Sequence, residues 1–249
     1  LPFALASFLG AIMINTDLLM LGWMRTPAEV GFYSAAQQPI QVLYTLAALF
    51  AVSLFPSLTR SASEPIEKSK TLLEKSLSVS LLAAMPIALG GIILSKELII
   101  TLFGPEYTPA IPAFQVLLLT LLIIYPSVII SNNLLAHGQQ RKFVGFSALG
   151  AVGNAVFNFL LIPPLGILGC AIATLITQLI ANGFIWLKMK GVAHFSLFGK
   201  IKKILIATAL TGIIVLFLKI SGVNIFINIM LAIILYFALL KIQKEEVLE

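Results

Sequence analysis

Residues 113–136 read AFQVLLLTLLIIYPSVIISNNLLA, without one charged side chain. At about 1.5 Å of rise per residue such a run crosses the roughly 30 Å of hydrocarbon in a bilayer as an α-helix. It is continuously apolar, unlike the alternating ten-residue segments of an outer-membrane barrel. Charged residues punctuate the rest of the chain into similar runs: Phe3–Met24, about Tyr33 to Leu58, Lys75 to Lys96, Lys142 to Pro163, Leu165–Leu187, Lys203 to Lys219 and Val223–Leu240. The run bounded by Lys203 and Lys219 is the shortest, and it spans if those lysines extend their stems toward the interface. The expected fold class is therefore all-α, a polytopic bundle of eight transmembrane helices.

Composition agrees. Lys, Arg, Asp and Glu make up 10% of the 249 residues, against about 25% in an ordinary soluble domain, and mean hydropathy is +1.05. So few charges cannot cover a soluble surface, which excludes a cytosolic enzyme, a nucleic-acid module and a disordered chain. The formal charge of +6 calls for no nucleic acid. Lys and Arg accumulate on the cytoplasmic side of membrane proteins and raise the charge by themselves. A single cysteine, Cys170, excludes an intramolecular disulfide or a zinc cluster within the chain, and His137 and His194 form no metal motif. The chain starts at Leu1 with no basic leader, so it is expected to be a piece of a longer protein or the product of an internal start.

The placement of the basic residues predicts orientation. Arg25, Lys96 and Lys219 fall in the odd-numbered connections between segments. The other thirteen of the sixteen fall in the even-numbered connections and the tail, with groups at Arg60–Lys75, Arg141–Lys142, Lys188–Lys203 and Lys241–Lys244. By the positive-inside tendency, the even connections and both chain ends lie in the cytoplasm of a multi-pass cytoplasmic-membrane protein. Trp23 and Trp186 stand at segment ends, where an amphipathic ring prefers the interface. Gly169, Ala173, Thr177 and Ala181 form a small-residue stripe suited to close helix packing. Pro39, Pro86 and Pro126 each remove a backbone hydrogen bond inside a segment and allow a kink.

One acid lies deep in an apolar run: Asp17, within Asn15-Thr16-Asp17. A charge there costs about 2.5–3.5 kcal/mol on insertion scales, so it faces a partner or a cavity. Asn154 and Asn158 share one helical face with Gly150. Asn132, Asn133, Gln37, Gln38, Gln41, Gln178 and Asn182 add to the intramembrane polar set. Interhelical hydrogen bonding accounts for each alone; together they suggest a bundle around a wet interior. GxSxG, HExxH, paired carboxylates on a loop and a nucleotide-binding glycine loop are all absent from the sequence. No catalytic residue, metal ligand or cofactor is therefore assigned, and the expectation is a non-enzyme.

Several motifs at segment borders resemble a known family. They are Asp17-Leu-Leu-Met-Leu-Gly22 with Pro27-Ala-Glu-Val-Gly31-Phe-Tyr33-Ser-Ala-Ala36, then Phe55-Pro56, then Leu102-Phe103-Gly104-Pro105-Glu106-Tyr107. Asn133-Leu-Leu-Ala-His-Gly138 follows, and then Asn158 to Thr174 through Pro163-Pro-Leu-Gly166-Ile-Leu-Gly169. In order and position, over roughly residues 1–187, they resemble the second half of the polysaccharide flippases. Those proteins belong to the multidrug/oligosaccharidyl-lipid/polysaccharide exporter superfamily. The resemblance implies that residues 1–190 form the C-terminal six-helix transport lobe of a two-lobe fold. Residues 191–249 would supply two additional helices and a cytoplasmic tail, as in fourteen-helix members.

It also implies translocation of a polyprenyl-pyrophosphate-linked glycan by alternating access in polysaccharide biosynthesis. The implied partners are membrane lipids, the lipid-linked glycan, the missing N-terminal lobe of the same protein, and a coupling H⁺ or Na⁺. Asp17, Asn15, Thr16, Asn154 and Asn158 are the cavity-lining or ion-binding candidates, with Arg25 reaching in from the outer rim. The pyrophosphate calls for cationic side chains, which this half lacks within its segments, so these are expected mainly in the other lobe. The alternatives are a multidrug or cation extruder of the same superfamily, a polytopic glycan ligase or glycosyltransferase, and a non-transporting scaffold.

Overall fold

The structure, a computed structural model, describes residues 16–190 and 198–242. They are helical nearly throughout, with no strand among them. The elements are α1 (16–24), α2 (Pro27–Ser61), α3 (Ile66–Ile93), α4 (Ser95–Phe103), a 3₁₀ segment (Pro105–Ala110), α5 (Ile111–Leu119), α6 (Leu121–Ala136), α7 (Lys142–Lys190), α8 (Phe198–Ile220) and α9 (Ile225–Ile242). Among the described residues six helices are long and apolar enough to cross a membrane. The all-α polytopic bundle expected from the sequence is what is found.

Local chemistry explains the boundaries. Thr26-Pro27-Ala28-Glu29 is a capping box. Glu29 N–H donates to Thr26 Oγ1 at 3.4 Å, and Thr26 N–H donates to Glu29 Oε2 at 3.3 Å, with Pro27 occupying the first helical position, where no N–H is needed. The second helix thus starts six residues before the apolar run, leaving only Arg25 and Thr26 between α1 and α2. Helix α3 likewise starts at Ile66, so Lys68, Lys70 and Lys75 lie on its first turns rather than in a loop. Helix assignment runs unbroken through Pro39, Pro86 and Pro126. The interruptions fall elsewhere, between α5 and α6 at Thr120 and inside α7 at Gly166.

Helix α7 has 49 residues, about 74 Å if straight and far more than a bilayer is thick. Gly166, at φ 56° and ψ −133°, folds it into two antiparallel arms. Only glycine adopts that backbone conformation without strain, and a Cβ there would lie 2.9 Å from Glu29 Oε1. The arms close on small residues. A Cβ on Gly169 would lie 2.0 Å from the Leu161 carbonyl oxygen, and one on Gly153 would lie 3.6 Å from the Thr177 methyl. Ala173, Thr177 and Ala181 of the small-residue stripe are buried. The bend strands carbonyls at the end of the first arm, because Ile162 and Pro163 have lost their N–H partners four residues on. Arg25 supplies them: Nη2 donates to Ile162 O at 2.9 Å and to Pro163 O at 2.6 Å.

The odd-numbered connections gather at one end of the bundle. Arg25 ties the first to the fifth. Phe32 and Tyr107 meet edge to face at 5.9 Å, joining the start of α2 to the third. Lys219, at the end of α8, pairs with Glu97 at 3.1 Å and donates to Ile93 O, joining the seventh to the third. The alternation of charge read from the sequence has the same grouping. One apolar core lies toward this end, built from α1, α2, α5 and the bend of α7, with Leu21, Tyr33, Phe114 and Ile162 among its buried members. A second core, with Leu73, Ile130, Leu134, Ile185 and Met189, lies toward the other end. Helices α8 and α9 dock on α3 through a third, around Leu82, Ile204 and Tyr236.

Gly166→Ala is expected to destabilise the fold by about 1–3 kcal/mol through backbone strain and the clash with Glu29. A thermal-melt series in detergent checks this, with Gly183→Ala, whose Cβ meets nothing within 4 Å, as the harmless control.

Candidate functional site

Asp17 is 3% exposed. Its carboxylate accepts four side-chain hydrogen bonds from two other helices. Oδ1 accepts from Asn154 Nδ2 at 2.8 Å and Asn158 Nδ2 at 2.7 Å, both on the first arm of α7. Oδ2 accepts from Thr174 Oγ1 at 2.8 Å, on the second arm, and from the Tyr33 hydroxyl at 2.9 Å, on α2. Asn158 Nδ2 also donates to Asn154 Oδ1 at 3.0 Å, and the Cys170 thiol lies 3.9 Å from the Asp17 carbonyl oxygen. Every one of these side chains is buried. The site exists because α7 bends: Asn158 and Thr174 stand eight residues either side of Gly166 and face each other once the arms close. It lies two helical turns inside the end where Arg25, Glu29 and the bend meet.

Of the residues singled out in the sequence, the structure brings together Asp17, Asn154 and Asn158. Thr16 is buried beside them. Asn15 lies outside the described residues. Arg25 stands apart at the rim, engaged with the α7 carbonyls and 3.9 Å from Glu29 Oε1. Tyr33, Thr174 and Cys170 belong to the site and were not selected by sequence reasoning. They look like ordinary helix residues until the hairpin and α2 place them against the carboxylate. Pro163-Pro-Leu-Gly166 between two apolar runs was the available signal.

Chemically the cluster offers one carboxylate, two carboxamide oxygens and two hydroxyl oxygens. Asn158 Oδ1 is buried and makes no hydrogen bond. Among the described residues no group of three or more His, Cys, Asp and Glu could hold a metal ion, so a transition-metal centre does not fit them. A proton, or a monovalent cation taking oxygen ligands, fits the donor set.

A second feature is a cavity of about 900 Å³ between α2, α3, α4, α5, α8 and α9. Pro39, Val42, Pro86, Leu118, Val215 and Phe237 line it, as do Thr208 and Thr211, whose buried hydroxyls make no hydrogen bond. The walls are otherwise almost wholly apolar.

Comparison with known proteins shows what the chain is similar to. The family described as polysaccharide biosynthesis protein matches residues 1–112. A probable low-salt glycan biosynthesis flippase of Haloferax volcanii is 26% identical over 159 residues, 64% of this chain and 34% of that protein. An uncharacterized membrane protein of Methanocaldococcus jannaschii is 27% identical over 214 residues, 85% of this chain and 42% of that protein. Among solved structures, the lipid II flippase MurJ in an inward closed conformation superposes with a TM-score of 0.74 at 18% identity. The match covers 98% of this chain and 52% of that one. A superfamily transporter from Pyrococcus furiosus gives 0.68 at 20% identity, covering 87% and 51%. The resemblance read from the border motifs is borne out, and the fold is that of about half of such a transporter. The chain spans between a third and a half of the length of the curated relatives it matches.

Asp17→Leu would remove the shared acceptor of four buried donors, of which Asn158 Nδ2 keeps Asn154 Oδ1, at about 1–3 kcal/mol for each donor left unsatisfied, whereas Asp17→Asn keeps one carbonyl acceptor and the side-chain shape. The midpoint of thermal unfolding is expected to fall clearly further for Asp17→Leu than for Asp17→Asn.

Proposed function

We propose that this chain is the C-terminal part of a flippase that carries a polyprenyl-pyrophosphate-linked glycan across the cytoplasmic membrane in polysaccharide biosynthesis. The observation that carries the reading is the coincidence of the family match over residues 1–112 with a lipid II flippase fold over 98% of the chain. Residues 1–190 would be the second six-helix lobe of the transporter. Residues 191–249 would add two helices and a cytoplasmic tail, giving eight spans in all. The first lobe, elsewhere in the same protein, would complete the central cavity and supply the cationic groups for the pyrophosphate.

The two lobes would rock about the cavity, which opens inward to take the glycan headgroup and outward to release it. The polyprenyl tail stays in hydrocarbon, for which the apolar cavity beside α8 and α9 is suited. Asp17 would be the coupling group. Four neutral donors stabilise the carboxylate without neutralising it. A proton or Na⁺ entering among Asp17, Asn154, Asn158 and Thr174 supplies the missing positive charge and must turn the amides to present oxygen. Because these side chains come from α1 and both arms of α7, with Tyr33 of α2 beside them, occupancy changes how tightly the helices hold together. That is the kind of two-state element by which a bound ion biases an equilibrium.

The test is glycan flipping by the full-length protein in proteoliposomes under imposed Na⁺ or H⁺ gradients. Wild type is expected to accelerate with one of the two, and Asp17→Asn to lose at least tenfold in rate together with its gradient response. An unchanged response in Asp17→Asn overturns the coupling role, and gradient-driven drug efflux without glycan flipping overturns the substrate class.

Orientation has its own test. Ser63→Cys, between α2 and α3, is expected to react with an impermeant maleimide only from the cytoplasmic side, and Glu106→Cys only from outside. The reverse pattern overturns the assigned topology.

A further inference from the structure

The Asp17 cluster is not the end of the buried polar residues. Thr174, Gln178 and Asn182 follow one another along the second arm of α7 at four-residue intervals, about 6 Å apart. Gln178 is 7% exposed and Asn182 3%. Asn182 Nδ2 donates to Gln178 Oε1 at 2.7 Å and to the Gln178 carbonyl at 2.8 Å, so the two carboxamides form a continuous polar strip. Beside it, between the arms, Thr177 Oγ1 is buried with no hydrogen-bond partner. Near the same end of the bundle, Asn133 of α6 is wholly buried, and neither its side-chain Oδ1 nor its Nδ2 makes a hydrogen bond. Packing alone does not account for these atoms. In membranes as in soluble cores, buried polar groups are satisfied by protein, water or ions.

The direction of the strip is informative. Thr174 touches Asp17, and Asn182 lies about 12 Å further from the Gly166 bend, toward the end of the bundle where the even-numbered connections lie. Its lining residues carry hydroxyls and neutral carboxamides, with no positive charge to repel a cation. Beyond it, Ile130, Leu134, Ile185 and Met189 pack into the second apolar core, which closes the strip at that end in this conformation. At the other end the site is shut by Arg25 on the carbonyls of the bend.

We infer that Thr174, Thr177, Gln178 and Asn182 line an intracellular exit for the coupling cation, a hydrated path joining Asp17 to the cytoplasmic face when the second apolar core loosens. The inference rests on the coupling role proposed for Asp17. It assigns the side of release: the cation binds near the outer end and leaves inward, down its gradient, while the glycan moves outward.

Silver ion is a suitable probe, being a small monovalent cation that reacts with thiols. In the full-length protein with Cys170 replaced by Ala and every cysteine outside this chain replaced, Asn182→Cys and Thr177→Cys are introduced separately. Sealed vesicles of each orientation receive Ag⁺ during turnover, and modification is read by the loss of maleimide labelling after denaturation. Both cysteines are expected to react at least tenfold faster from the cytoplasmic side. Thr177→Cys changes little volume and keeps the test valid if Asn182→Cys does not fold. Cysteines that stay unmodified from both sides, or that react first from outside, overturn the path and leave the carboxamides as helix-packing groups. Cysteines that react from the cytoplasm in a protein whose flipping ignores both gradients establish the water path but remove the coupling role of Asp17.

Discussion

A carboxylate in hydrocarbon must be met by protons, cations or donors, and Asp17 is met by four donors at 2.7–2.9 Å. Charge-assisted hydrogen bonds of this kind contribute about 1.5–3 kcal/mol each, enough together to offset the insertion cost of the charge. The donors come from α2 and from both arms of α7, so satisfying one side chain fixes the relative placement of four helical segments. Apolar packing in a membrane cannot do this alone, because lipid tails are as apolar as the helix surfaces they compete with. The rest of the bundle is arranged around that requirement.

The bend at Gly166 is the second condition. It brings Asn158 and Thr174 opposite each other, and it creates orphan carbonyls that a lipid-facing helix could not tolerate. Arg25 answers those carbonyls from the two-residue turn after α1. The chain thus spends the basic residue of that turn on its own backbone. That guanidinium is therefore already engaged within the bundle.

Helices α8 and α9 are attached differently. They dock on α3 through Leu82, Ile204, Ala207 and Tyr236, and the Lys219–Glu97 pair clamps the C-terminal end of α8. The apolar cavity lies between this pair of helices and the rest of the bundle. Buried polar groups and apolar surface are therefore kept in separate parts of the structure. The first lie inside the α1–α2–α7 junction, and the second lie where the bundle opens toward lipid.

The all-α bundle was legible from residues such as 113–136 because hydrocarbon thickness imposes a length and water exclusion imposes a helix. The common side of the odd connections was legible from the charges, which follow the membrane potential and the insertion machinery rather than the fold. Asp17, Asn154 and Asn158 were legible because a polar group in lipid is conspicuous. Helix starts were less so: the capping box at Thr26 extends α2 beyond its apolar run, and Pro39, Pro86 and Pro126 are accommodated inside helices. The sequence determined which groups needed partners. Only the tertiary structure decided which partners they found, because Tyr33 and Thr174 meet Asp17 across 16 and 157 residues of chain, and no local pattern encodes that approach.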